Sequence, residues 1–435
     1  MEGNKDRPDT GGIALGYGKG EVRLELPNRA AAQVLLPRRT GNTEPVESLL
    51  LKSLGSPVGS PSLRELASGR RSVTIAIPDR TRPPVARKIL PLLIEHLMSA
   101  GVGEDGIRIF ISCGIHSRHG EDEIRPLVGD EIFEKYEIHQ NDGGRREDFI
   151  SLGTTSRGTP VEVNRVVAEA DLVLAIGGLA FHYFAGFTGG RKMIIPGAAS
   201  VAMVENNHRL TLTGAGEMNP NCRSGALRGN PVHEDMVEAA GFLKNAVYLV
   251  NVIRDGWGEA AGVISGGLVE SHAAGTEAVR DLFECGLDRP CDIAIASAGG
   301  HPLDVNLIQA HKSLEHAAAS VRDGGALVGV LACPEGVGSD TFMPWFEYAD
   351  SAEVMRNLYR DYELNGHTAL SFMQKRERVS IILLSELPED VVRKLGVTPA
   401  RDISDAVAKA EAIAGPDALV YVFPRAWGLL PVVKS

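Results

Sequence analysis

"SVTIAIPD" occupies residues 72–79 and decides the fold. Its centre is Val, Ile and Ala without polar alternation, and it stops at Pro-Asp. A strand covered on both faces reads this way, which predicts a parallel sheet under helices. Six more runs share the pattern: "IRIFISCG" (107–114), "DLVLAIGG" (171–178), "CDIAIASAGG" (291–300), "GALVGVLAC" (325–333), "VSIILLSE" (379–386) and "ALVYVFP" (418–424). Helical patterns lie between them. "PVARKILPLLIEHLMSAGV" (84–102) follows the first, "QAHKSLEHAAASVRDGG" (309–325) follows the fourth and is expected to stop at its Gly-Gly, and "ISDAVAKAEAIAGPD" (403–417) precedes the last. Strands alternating with helices predict an α/β protein.

The 435 residues suffice for two or three domains. After the helical "ESHAAGTEAVRDLFECG" (270–286) the pattern restarts with a strand. This predicts two α/β domains with mainly parallel sheets, residues 1–287 and 288–435. The alternating "GYGKGEVRLELP" (16–27) predicts an antiparallel β element, and the polar "MEGNKDRPDTGG" (1–12) a frayed start. The net charge of −11 argues against a nucleic-acid or anionic-membrane surface. No apolar run approaches a membrane span or a signal peptide. Five cysteines without C-x-x-C spacing read as free thiols, and the expected location is the cytoplasm.

Ligands of open parallel sheets bind at the carboxyl ends of strands. The polar clusters of this chain follow strand ends, which predicts one shared cleft between the domains, holding cofactor and active site. "PDRTRPP" (78–84) supplies Asp79 and Arg82, a guanidinium fork for a carboxylate, or else a solvated turn with Pro83 opening a helix. "CGIHSRHG" (113–120) supplies His116 and His119, acid/base candidates, metal ligands or surface residues. "HYFAGFTGGRK" (182–192) gives His182, a glycine turn, Arg191 and Lys192, and "VAMVENNHRL" (201–210) reads as a helix carrying His208. Ser297, Gly299 and Gly300 sit where a strand meets a helix and suit an anion, and Gln309 and Lys312 share one helical face. From residue types alone the metal is open: zinc, nickel or none.

These motifs resemble the nickel-pincer-nucleotide-dependent lactate racemase family. "HYFAGFTGGRKMIIPGAAS" (182–200), followed by "NNH" (206–208), is similar to that family's H-F-F-A-G-F-S-G-G-R-K…P-G…H signature. "PDRTRP", "GIH" and "DVNLIQAHK" (304–312) also match, and the likeness runs nearly end to end. The resemblance implies a racemase or epimerase that inverts C2 of a 2-hydroxy acid by reversible hydride transfer through a 2-keto acid. The implied cofactor is a nicotinate-derived mononucleotide gripping nickel, made by dedicated synthesis enzymes. It implies Lys192 as the covalent tether, His208 as the nickel ligand, and His116 and His182 as paired acid/bases. Arg82 and Lys312 would hold the substrate, with Asp79 and Gln309 as supporting polar positions and Ser297, Gly299 and Gly300 near the cofactor phosphate. The family's lactate enzyme has tyrosine where this chain has Ile308. Phe372 or Trp345 is the expected active-site aromatic, and the substrate is lactate, a larger 2-hydroxy acid or a sugar acid. Two other classes compete: a zinc hydrolase using His116, His119 and His182, and a non-catalytic carboxylate- or nickel-binding protein.

Overall fold

The computed structural model describes residues 12–26, 32–82, 85–213 and 217–434. The chain forms two compact units, one of residues 39–213 and 218–282, the other of residues 1–38, 214–217 and 283–435.

The first unit is built on a six-stranded sheet. In spatial order its strands are Ala260–Gly266, Ala246–Arg254, Leu172–Leu179, Val73–Pro78, Ile107–Ser112 and Glu137–Gln140. All neighbours are parallel except the first pair. Every residue of Val73–Pro78 is buried, as its largely apolar, non-alternating run predicts, and the Thr74 hydroxyl donates to the Val166 carbonyl. The helix Ala86–Ser99 lays Ile89, Leu93 and Leu97 into the core shared with Val73, Ile75 and Ile109. Each such fully buried side chain contributes about 1.5–3 kcal/mol.

The second unit is a wholly parallel sheet in the order Thr398–Ala400, Ser380–Leu384, Val321–Val330, Cys291–Ser297, Val420–Phe423 and Ala32–Val34. The helix Ile403–Ala414 covers it with Ala406, Val407 and Ala410, which share a core with Ile293, Val328 and Ile382.

All seven expected strands lie in these two sheets, and the α/β class holds. The hairpin Ile13–Tyr17/Gly20–Leu24 is antiparallel, as its alternation predicts. Three expectations are revised or fall outside. A domain running from residue 1 to 287 would keep the early β elements in the first unit, whereas Ala32–Val34 hydrogen-bonds with Val420–Phe423 as an edge of the second sheet. The helix beginning near Gln309 spans Leu307–Ala318 and ends before the glycines. The Ser320 hydroxyl donates to the Ala317 carbonyl and the Cys291 N–H to the Ser320 carbonyl, so the chain already enters the strand Val321–Val330, which contains Gly324 and Gly325. Residues 1–11, with Pro83 and Pro84, lie outside the described residues. All five cysteines are free thiols. Among the described residues no helix is long and apolar enough to cross a membrane.

Candidate active site

Asp79 follows the strand Val73–Pro78 directly and is 3% exposed. Its Oδ1 accepts from the Thr81 N–H at 3.1 Å and the Thr81 hydroxyl at 2.6 Å. Its Oδ2 lies 2.5 Å from His116 Nδ1. Burial works against its charge, but the His116 hydrogen bond and charge, with Arg82 and Thr81, outweigh it and hold the carboxyl down to about 2. An ionised carboxylate only accepts, so His116 Nδ1 carries the proton and the lone pair sits on Nε2. The His116 side chain is 41% exposed, open to a ligand. Asp79, expected as a cofactor support, is thus the partner of His116.

His119 is placed differently. It is 7% exposed, its Nε2 accepts from the Arg80 N–H at 3.3 Å, and its backbone N–H and carbonyl both bond the Gln140 side chain. The ring thus holds the Arg80 turn and the backbone holds Gln140. The zinc reading, which needs His119 beside His116 and His182, loses its third ligand. Among the described residues no three His, Cys, Asp or Glu side chains are grouped to hold a metal ion.

His182 ends the strand Phe181–His182 of a tight hairpin closed on Gly186–Phe187. Its Nδ1 accepts from the Ala185 N–H at 3.2 Å, which places the neutral ring's proton on Nε2. The two expected acid/bases therefore rest in opposite tautomers. Phe184, which the sequence reading passed over, joins the parts of this site. Its ring centroid lies 4.5 Å from that of His182 and 4.9 Å from that of His208, both edge-on, and Lys192 Nζ stands 5.7 Å from it. The available signal was its place between two aromatic-rich motif positions, which reads equally well as core.

Lys192 lies on the short helix Arg191–Ile194 and is 8% exposed. The glycines before it let this segment lie close against the neighbouring strand. A Cβ on Gly190 would stand 2.5 Å from the Ala175 carbonyl oxygen, and one on Gly177 would stand 2.6 Å from Gly189. Arg191 is fully buried with its guanidinium on the Ala185 and Phe187 carbonyls, so it braces the His182 hairpin. Desolvation lowers its pKa to about 9. The Ser112 hydroxyl donates to the Met193 carbonyl, and the Gly114 N–H to the Gly197 carbonyl at 2.9 Å. These bonds tie the His116 loop to the segment around Lys192. His208 sits on the helix Val201–Arg209, which Ser200 caps through the Met203 N–H.

In the second unit the Lys312 ammonium donates to Gln309 Oε1 at 2.7 Å, on the helix that Asn306 caps. The Ser297 hydroxyl donates to the Gly16 carbonyl and accepts from the Gly299 N–H, so two of the three residues expected near a phosphate are engaged within the chain. Gly16 lies against this turn: a Cβ there would stand 2.4 Å from Gly299 and 2.7 Å from the Gly300 nitrogen. Phe372 is 0% exposed and meets Phe346 edge-on, and Trp345 is 6% exposed beside Tyr348. Phe372, the first choice for an active-site aromatic, is core instead.

Models of the lactate racemase N-terminal domain and the lactate racemase C-terminal domain match residues 17–219 and 287–430. The lactate racemase of Thermoanaerobacterium thermosaccharolyticum is 31% identical over 422 residues, 95% of this chain and 97% of the relative. The chain belongs to the lactate racemase family. The lactate racemase of Lactiplantibacillus plantarum is 32% identical over 434 residues, 96% of this chain and 99% of that relative. The solved lactate racemase apoprotein of T. thermosaccharolyticum superimposes with a TM-score of 0.89 at 29% identity, covering 97% of this chain and all of that one. A Thermotoga maritima protein, 19% identical with a TM-score of 0.68 over 87% of this chain, shares the fold. Membership of the lactate racemase family makes this protein an enzyme, an isomerase of the racemase kind.

Proposed function

We propose that this protein inverts C2 of a 2-hydroxy acid, lactate or a larger one, with a nickel-pincer nucleotide attached to Lys192 and ligated by His208. The observation that carries this reading is the arrangement around Phe184. One lysine amine and two imidazoles meet a single buried ring, and a fourth basic group, His116, is held by an ionised carboxylate on a loop tied to the same segment. An amine that forms a covalent bond and one imidazole fit a metal that arrives inside an organic ligand. When bound, that cofactor supplies a site to take the hydrogen of C2 with its electron pair and to give it back.

The protein side of the chemistry is proton handling. His116 Nε2 takes the hydroxyl proton of one enantiomer, and Asp79 stabilises the imidazolium that results. His182 presents an Nε2–H to the oxygen on the opposite side, the donor that a keto oxygen needs. When the hydrogen returns to C2 on its other face, the oxygen takes a proton from His182, which as an imidazolium has given up its bond from Ala185; for the other enantiomer the two histidines exchange roles. Arg82 and Lys312 are assigned the substrate carboxylate and hydroxyl region, with Gln309 orienting the Lys312 ammonium. Ile308 in place of tyrosine favours a substrate larger than lactate, and a sugar acid is the second reading.

Intact-mass measurement of protein produced with the cofactor-synthesis enzymes tests the assignment. An adduct confined to Lys192, with one nickel, is expected. Unmodified protein in a preparation where a known lactate racemase is loaded contradicts it.

A further inference from the structure

His208 is backed by a buried polar chain whose hydrogen-bond directions are all fixed. The Thr155 hydroxyl oxygen accepts from the Thr159 N–H at 3.1 Å, so its own proton goes to Asp235 Oδ1 at 2.6 Å. Asp235 Oδ2 accepts from Asn207 Nδ2 at 2.8 Å, and the same Nδ2 donates to the Val232 carbonyl at 3.1 Å. Asn207 Oδ1 then faces His208 Nδ1 at 3.2 Å. Turning the Asn207 amide over would set its oxygen against a carboxylate and a carbonyl, two acceptors. Its orientation is therefore determined, and an amide oxygen only accepts. His208 Nδ1 must carry the proton, and Nε2 keeps the lone pair. Thr155, Asn207 and Asp235 are 4%, 1% and 0% exposed, so water does not compete for these bonds.

We propose that Asn207, oriented by Asp235, is a positioning residue that holds His208 in the Nδ1–H tautomer with Nε2 as its ligating nitrogen. The claim rests on the reading of His208 as the nickel ligand. A metal-binding imidazole needs its other nitrogen held by an acceptor, which fixes both tautomer and ring orientation. Here the acceptor is an amide, and the carboxylate stands one residue further back. The device joins three elements: the turn of the hairpin Phe149–Thr154/Pro160–Asn164, the helix Pro231–Ala240 that carries Asp235, and the helix Val201–Arg209 that carries Asn207 and His208.

The test reads the tautomer directly, by long-range proton–nitrogen NMR correlation of the histidine rings in cofactor-free protein. The wild type should show His208 protonated on Nδ1. Asp235→Asn can turn its own amide oxygen to Asn207 Nδ2, where the Val232 carbonyl also still accepts, so this conservative variant should keep His208 in the Nδ1–H form. Asn207→Leu should leave a mixture of both tautomers and, in nickel-loaded protein, lose nickel to a chelator roughly ten times faster or more. Replacing a side chain that merely fills space would not move the tautomer. A wild type protonated on Nε2, or an Asn207→Leu protein that keeps pure Nδ1–H, overturns the proposal. A wild type with the expected tautomer that takes up no nickel overturns the reading of His208 as ligand and leaves its orientation standing, so the two claims fail separately.

Discussion

At the scale of single residues, one pair governs the chemistry proposed for this site. Asp79 and His116 act together, because the buried carboxylate fixes which nitrogen of the ring is basic. His116→Asn should lower kcat by about 10²- to 10⁴-fold, the usual worth of a general acid/base, with protein fold unchanged by circular dichroism. Asp79 also affects stability. Its folded pKa of about 2 lies below the ordinary aspartate value of 3.8, so its contribution is fully present above 3.8. It is lost as pH falls towards 2, and is worth about 2 kcal/mol. Acid unfolding of Asp79→Asn should therefore begin from a less stable protein and vary less with pH between about 4 and 2. Equal acid sensitivity in both proteins would refute the pairing.

At the scale of elements, the short helix Arg191–Ile194 sits where it does because glycine allows it to. Gly190→Ala pushes a methyl group against the Ala175 carbonyl, 2.5 Å away, and overpacking of this kind costs about 1–3 kcal/mol. A lower denaturant midpoint together with poorer adduct formation on Lys192 is expected; an unchanged midpoint would show that the strand gives way freely. Elements were also where the sequence was most and least readable. Buried parallel strands such as Val73–Pro78 announce themselves because they are rich in Val, Ile and Ala and do not alternate; the one hydroxyl, on Thr74, is small and donates to the Val166 carbonyl. The strand Ala246–Arg254 escaped notice although it is buried, since Asn251 interrupts its run; that asparagine accepts the Gly190 N–H at 2.9 Å. The candidate positions Lys192, His182 and His208 were legible by resemblance. The work of Phe184, Asn207 and Asp235 was not, because it depends on ring and hydrogen-bond geometry that joins near neighbours to distant ones, as Asn207 joins His208 to Asp235.

At the scale of the whole molecule, the chain returns to its beginning. Residues 1–38 belong with the C-terminal unit, where Ala32–Val34 covers the edge of Val420–Phe423. Gly16 and Gly18 meet the turn at Gly299–His301, and the Gly18 N–H donates to buried Asp304 at 2.8 Å. Removing residues 1–38 bares a sheet edge and takes from that aspartate one of its two N–H donors, leaving only Ala332. Protection against hydrogen exchange should fall in the strands Cys291–Ser297 and Val420–Phe423 and persist in Val73–Pro78; uniform loss across both units would contradict this division. For the reaction, the most direct measurement is racemisation of single-enantiomer 2-hydroxy acids by the nickel-loaded protein in D₂O. Chirality should be lost while the hydrogen on C2 stays protium, because it leaves and returns without meeting solvent. Deuterium appearing at C2 as fast as chirality is lost would contradict the account.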